Sequence, residues 1–252
     1  MNTLARAALL ATFSAFLFTL ETIVVKAIEG VPLATIVLAR ALGQVAWATP
    51  ALLRDAAGVL RTTQLRLNLV RGALSGVSWY AYFTSFAQLP LALATVLSFT
   101  SVLVVTALAG PVLGEAVRWR RWSATLVGFA GVVLMLQPWS ADAPPIGWPV
   151  IAGIVSAFLG AAIMLTTKML ARSERTTTIM FYIGLVTTLM TLPVAAPGLA
   201  WPGWWKMLLL IGTGLCGPFA MHVWINALRL ADASVLGVRS RCVSAALQPR
   251  PH

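Results

Sequence analysis

The chain alternates long apolar runs with short polar interruptions. Leu91 to Gly114 carries no charge, and neither does Thr176 to Ala196. Runs of about 20 such residues cross the hydrocarbon core of a bilayer as helices, because a backbone in lipid must satisfy its own N–H and C=O groups. Eight runs of this kind are found, at 5–28, 33–53, 68–88, 91–113, 121–138, 146–170, 176–196 and 205–228. Pro32, Pro90 and the pair Pro144 and Pro145 punctuate the connections, as helix breakers do. The pattern predicts an all-α membrane protein with eight full transmembrane helices.

Composition supports that class. The chain is 59% hydrophobic and 10% charged, where a soluble domain carries roughly a quarter charged residues. The net charge of +11 would suggest a nucleic-acid partner if the basic residues shared one soluble face. They sit in connections instead. Arg54, Arg61, Arg66 and Arg71 fall in the second, Arg118, Arg120 and Arg121 in the fourth, and Lys168, Arg172 and Arg175 in the sixth. The odd connections are nearly free of them: Gly30 and Val31, Leu89 and Pro90, and Trp139 to Pro145 with only Asp142. In the seventh, Lys206 stands beside Trp201, Trp204 and Trp205, which read as an interfacial aromatic belt. The positive-inside rule then places the N-terminus and the even connections in the cytoplasm. The partners expected are a lipid bilayer and a small-molecule substrate, with no nucleic acid. The first apolar run lacks an A-x-A cleavage site and reads as a retained helix.

Sequence blocks recur along the chain. LPLALATVL at Leu89 to Leu97 returns as LRLADASVL at Leu228 to Leu236, SAFL at Ser14 to Leu17 returns at Ser156 to Leu159, and Lys26 returns as Lys168, all at nearly one spacing. Ordered blocks at one period argue for a duplicated unit. The unit holds five helices, so the second copy enters the membrane from the other side. The loop charges agree with that inversion: the basic stretch Arg54 to Arg71 corresponds to the almost uncharged Ala195 to Lys206, and the neutral turn at Gly30 to the basic turn Arg172 to Arg175. The expected organisation is a first five-helix repeat at 1–138, an incomplete inverted repeat at 143–236 and a basic tail at 237–252. Inverted repeats are a transporter device, in which two related states expose one central site to each side in turn.

The LRLADASVL block is expected to open the fourth helix of the second copy, but GVRSRCVSAALQPRPH follows it. Arg239 and Arg241 stand where mid-membrane residues belong, at about 2.5–3.5 kcal/mol each on insertion scales. The last two of ten helices are thus expected to be missing. The readings are a truncated or frame-shifted product, or an eight-helix protein completed as a homo-oligomer or by another chain.

The stretch SFAQLPLALATVLSFTS followed by LGEAVRWRRWSATLVGFAGVVLMLQP resembles the EamA-like members of the drug/metabolite transporter superfamily. The resemblance implies ten transmembrane helices in two inverted five-helix repeats and movement of small metabolites, amino acids among them, through a central cavity. It covers residues 1 to about 236 and is most specific from Ser85 to Pro138. Val102 stands where that family usually has proline after SFTS.

Charged residues inside spans are the first functional candidates, because burying them unpaired is expensive. Glu21 and Arg40 lie on either side of the first turn, each at about 11 Å depth for a 1.5 Å rise per residue, so an ion pair is geometrically reasonable. It reads as a helix clamp, as a site for a zwitterionic or anionic substrate, or as a proton-coupled carboxylate. Lys26 is one turn above Glu21 and reads as snorkelling. Gln44 lies one turn past Arg40. Trp79 and Tyr82, three apart, share a helix face and are suited to stacking on an organic solute, whereas Tyr80 points elsewhere. His222 and Asn226, four apart, share a face as cavity lining or as interhelical hydrogen-bonding groups. Gly72 with Gly76, and Gly110 with Gly114, fit G-x-x-x-G and are assigned to packing. Glu115 with Arg118 reads as a loop pair. Cys216 and Cys242 have no metal-ligand spacing, and there is no H-E-x-x-H, P-loop or dinucleotide fingerprint. No catalytic residue, metal or cofactor is therefore expected. The function expected is secondary transport of small organic metabolites across an inner membrane by alternating access. An inactive remnant and a non-transporting membrane subunit are the other readings, and an embedded enzyme lacks a recognisable constellation.

Overall fold

The computed structural model describes residues 3–114, 119–136 and 147–246. Among the described residues the elements are α1 (Thr3–Ala27), α2 (Leu33–Arg54), α3 (Ala56–Leu60), α4 (Leu65–Gln88), α5 (Leu91–Leu113), α6 (Trp119–Leu136), α7 (Trp148–Ala171), α8 (Thr176–Ala195), a 3-10 turn (Ala196–Gly198) and α9 (Trp204–Ala246), with no strand. The Glu115–Arg118 pair and the Trp139 to Pro145 turn lie outside the described residues, as do the side chains of Lys26, Arg239 and Arg241.

Five stretches are long and apolar enough to cross a membrane: Ala5–Val25, Leu33–Arg54, Trp148–Ala171, Thr176–Gly198 and Trp204–Leu230. The chain is a multi-pass membrane protein. Helix α4 differs from those five in its polar start, with Arg66, Asn68 and Arg71 in its first two turns. The second connection is shorter than the charge pattern suggests. It contains the one-turn helix α3, capped by the Asp55 side chain, which accepts from Gly58 N at 2.9 Å.

The second copy of the LxLAxAxVL block does not begin a new helix. Helix α9 runs unbroken for 43 residues through Leu228 to Leu236, about 65 Å at 1.5 Å per residue. In the first copy Pro90 separates α4 from α5, because proline lacks an N–H and excludes the helical conformation before it. The matching position in the second copy is Arg229, which has both the N–H and a good helix propensity.

Helix α1 packs along α9, α4 along α7, and α2 against α8, while α2 also meets α9 and α4 meets α8. Matching α1, α2 and α4 with α7, α8 and α9 maps this set of pairings onto itself. Two close approaches follow the same correspondence. A Cβ on Gly43 would lie 1.8 Å from the Gly214 carbonyl oxygen, and one on Gly72 would lie 2.6 Å from Val186 Cβ. Thr187 Oγ1 also donates to the Gly72 carbonyl at 3.2 Å. The packing assigned to Gly72 therefore holds, but a Cβ on Gly76 would meet nothing nearer than 3.8 Å. Gly114 has φ +68° and nothing within 4 Å of a Cβ, so it ends α5 rather than packing a helix against it. Around these contacts, Val37, Phe83, Ile179, Ile183 and Ile225 form the main apolar core. Helix α5 lies on α7, and α6 lies on α5.

The contacts also define two ends. At one, the first turn meets the 3-10 turn and the start of α9: Gly198 lies against Pro32 and Gly30 against Lys206. At the other, the 55–64 connection meets the 172–175 turn through Asp55 with Arg175 and Thr62 with Glu174.

Candidate functional site

The first turn is short, with Ile28 N donating to Val25 O and Pro32 preceding α2. It holds α1 and α2 as a hairpin, and Glu21 and Arg40 meet at one level. Arg40 Nη1 donates to Glu21 Oε1 at 2.5 Å, with the side chains 6% and 3% exposed respectively. The guanidinium lies over the Trp79 ring, 4.0 Å from Cζ to the centroid, with Phe18 at 5.7 Å. Helix α9 closes the other side. A Cβ on Gly217 would sit 2.5 Å from Glu21 Oε1 and 3.1 Å from Arg40 Cζ. Gly217 thus packs directly against the pair, and nothing local in the sequence sets it apart from the other glycines. The pair touches α1, α2, α4 and α9, so it joins the two ends of the sequence at one point.

Tyr82 extends this cluster. Its hydroxyl shares a 3.2 Å hydrogen bond with Thr22 Oγ1, and its ring lies 4.3 Å from that of Phe86. Gln44, one turn from Arg40, is 1% exposed, and neither atom of its amide has a hydrogen-bond partner. Arg40 Nε is likewise without one. Tyr80 packs against Ala34, Leu38 and Ala195 as well as against the main core.

His222 and Asn226 stand further along α9, about 7.5 and 13.5 Å beyond Gly217 for a 1.5 Å rise. The His222 ring is 6.0 Å from Trp47. Asn226 Oδ1 accepts from Thr176 Oγ1 at 3.1 Å, an interhelical hydrogen bond. Asn226 also lines an apolar cavity of about 390 Å³ with Arg6, Leu10, Val223, Arg229 and Leu230.

Arg71 departs most from its reading as a connection residue. It lies in the second turn of α4 and is fully buried. Its Nε donates to Thr167 Oγ1 at 2.6 Å, its Nη1 donates to Ser75 Oγ, and its Nη2 has no partner. A cationic residue near a helix end reads as a loop marker under the positive-inside rule; only the arrival of α7 against α4 turns this one inward.

The end of the bundle beside Arg71 is closed by Glu174. Its Oε1 accepts from Thr62 Oγ1 (2.8 Å), Thr63 N (2.7 Å), Thr63 Oγ1 (2.9 Å) and Gln64 N (3.2 Å). This carboxylate caps the start of α4, where the helix dipole favours negative charge. Burial pushes the Glu174 carboxyl up, but the hydrogen bonds from Thr62, Thr63 and Gln64 outweigh burial and hold it below the usual range. Arg229 Nη2 donates to the Glu174 carbonyl. Beside it, Arg175 Nη1 and Asp55 Oδ2 form an exposed pair at 2.8 Å. The hydrogen bond from Arg175, then the one from Gly58 N, holds the Asp55 carboxyl below its usual range.

The interior therefore offers a guanidinium–carboxylate pair, a second guanidinium, an open amide and aromatic faces, a set suited to binding a polar organic molecule. Relatives are found among transporters. The S-adenosylmethionine uptake transporter of Rickettsia prowazekii (strain Madrid E) is 31% identical over 177 residues, covering 69% of this chain and 58% of that protein. The riboflavin transporter of Rhizobium johnstonii is 33% identical over 186 residues, covering 73% and 61%. The pseudopaline exporter of Pseudomonas aeruginosa (strain UCBPP-PA14) is 29% identical over 209 residues, covering 81% and 72%. The chain spans under two thirds of the length of the first two. A solved crystal structure matches with a TM-score of 0.70, covering 98% of this chain and 90% of its own at 19% identity, which is a likeness of fold. The model of the EamA-like transporter family matches residues 5–137, more than half of the sequence, and the chain belongs to that family.

Proposed function

We propose that this chain is a secondary transporter of small organic molecules in an inner membrane, working by alternating access. The observation that carries this reading is the Glu21–Arg40 pair, buried where α1, α2, α4 and α9 converge. Glu21, Arg40, Gln44, Trp79 and Tyr82 form the solute site, and His222 and Asn226 line the route from it toward the Glu174 end. The two units are 1–138 and 143–236, related as an inverted repeat, and α4, α5 and α6 span the membrane with the five apolar helices. The exchange of pairings between α1, α2, α4 and α7, α8, α9 supports that relation, as do the matched close approaches at Gly72 and Gly214. Rocking one unit against the other would part α9 from the pair and uncover it, as inverted repeats allow. The basic connections place the Glu174 end and the N-terminus in the cytoplasm.

The named relatives act on S-adenosylmethionine, riboflavin and pseudopaline, so they agree on small organic solutes and not on one compound. Purified protein in liposomes should take up one of a panel of labelled solutes, including S-adenosylmethionine, riboflavin and amino acids, with saturable kinetics, and Arg40→Ala should remove that flux. Flux that stays linear with concentration and indifferent to Arg40→Ala would reject a carrier.

A further inference from the structure

Among the described residues, the charges in the bundle interior do not balance. Arg40 and Arg71 are both buried, and Glu21 is the one carboxylate paired with either among the described residues. Glu21 is engaged by Arg40. Arg71 has only two neutral hydroxyls, those of Thr167 and Ser75, and its Nη2 has no partner among the described residues while the side chain is fully buried. Glu174, at the mouth, is committed to Thr62, Thr63 and Gln64. A guanidinium does not shed its proton in a protein, and a buried charge without a counter-charge is expensive. A structural arginine would be expected to have a carboxylate beside it, as Arg40 does.

Helix register shows where the missing charge would enter. Trp79 faces Arg40. One turn toward the Glu174 end brings Ser75 on α4 level with Gln44 on α2, since residues four apart lie one above the other on a helix. One turn further is Arg71. By register, open hydrogen-bonding atoms stand at successive levels: Arg40 Nε, both amide atoms of Gln44, then Arg71 Nη2.

We propose that Arg71, with Ser75 and Thr167, is an anion subsite for a carboxylate on the transported solute, one level below the Glu21–Arg40 pair on the Glu174 side. The planar fork of arginine suits a carboxylate in two-point contact. The proposal rests on the transporter reading only for the route by which the carboxylate arrives. Counting Glu21, Arg40 and Arg71, it leaves these groups neutral when a carboxylate is bound and one positive charge in excess when none is.

The test is thermal unfolding of the whole purified chain in neutral detergent. The probes are amino acids and small dicarboxylates, each compared with its amide, with inorganic phosphate and phosphatidylglycerol added separately. In wild type, at least one carboxylate should raise the melting temperature where its amide does not. Arg71→Gln should remove that response, weakening binding by about tenfold or more, as loss of a charge-assisted contact does, and Arg71→Lys should retain part of it. Without ligand, Arg71→Gln should melt no lower than wild type, because it removes an unbalanced charge. The proposal is overturned if no carboxylate stabilises wild type, if the response survives Arg71→Gln, if only phosphatidylglycerol or phosphate gives an Arg71-dependent shift, or if Arg71→Gln destabilises the ligand-free protein as Glu21→Gln does. Saturable flux of a neutral solute, unchanged by Arg71→Gln, would leave the transporter standing and remove the subsite. Arg71-dependent carboxylate binding without flux would do the reverse.

Discussion

Glu21–Arg40 and Asp55–Arg175 are the same chemistry at similar separations, 2.5 and 2.8 Å. The first pair is 3% and 6% exposed, the second 52% and 64%. Water screens the outer pair and competes for each partner, so little of its attraction reaches stability. The inner pair has lost its water, and each partner depends on the other for its charge to be tolerated. A fold gains little by hiding an ion pair that an apolar contact of similar volume could replace. The inner pair lies beside an aromatic face and an open amide, which is why it is the pair proposed as the solute site. The outer pair joins two connections at one end and serves at most as a weak fastening.

The largest expected difference between the pairs appears when one partner is removed. Glu21→Gln leaves Arg40 buried without its counter-charge, which costs roughly 3–5 kcal/mol. Equilibrium unfolding in mixed micelles should show that loss, and adding Arg40→Met to the same chain should recover much of it. A single variant as stable as wild type would mean that water already reaches the pair. Next in size is Gly217→Val. Its Cβ would fall 2.5 Å from Glu21 Oε1, so either α9 shifts or the pair breaks, at about 1–3 kcal/mol for overpacking. Gly212→Ala on the same helix is the control, since nothing lies within 4 Å of a Cβ there. It should unfold no more easily than wild type, because alanine favours the helix.

The legibility of these features in the sequence followed how local their causes are. The long helices were legible because each is set by its own run of apolar residues and closed by its own proline or polar turn. The Glu21–Arg40 contact was legible because a short turn fixes the relative height of two positions. Arg71 was not, because the burial of a basic residue six positions into a helix depends on α7, almost a hundred residues away. Gly217 was invisible for the same reason: a glycine among many becomes a site residue only when another helix brings a carboxylate to it. The unbroken α9 differs from the expectation that a matching block implies matching structure, because the residue that breaks the first copy, Pro90, has Arg229 in its place.

Between the two ion pairs in expected effect is Glu174, a carboxylate that is 6% exposed but hydrogen-bonded rather than ion-paired. Glu174→Gln should cost about 1–2 kcal/mol at neutral pH, the range of a lost helix cap. The pH dependence has a definite sign. The folded carboxyl titrates below its ordinary value of 4.5, so its contribution is present above that pH and is lost as pH falls through the lower folded value. Wild type should lose stability on acidification below about 4.5, and Glu174→Gln should show a smaller loss over the same interval. Equal acid slopes in the two proteins would place the cap elsewhere.

The smallest effect belongs to the outer pair. Asp55→Ala and Arg175→Ala, alone and together, form a double-mutant cycle whose coupling should be slight and should vanish in molar salt, where screening acts within a few ångströms. Asp55→Ala also removes the side-chain cap on Gly58 N. It should therefore cost more than Arg175→Ala, and the excess should persist in salt because a short hydrogen bond to a backbone N–H is not a long-range charge effect. Asp55→Asn separates the two roles, keeping an oxygen that can accept from Gly58 N while losing the charge. If Asp55→Asn proves as damaging as Glu21→Gln, the two connections at this end hold the bundle shut through their charges, and the exposed pair is a gate rather than a fastening.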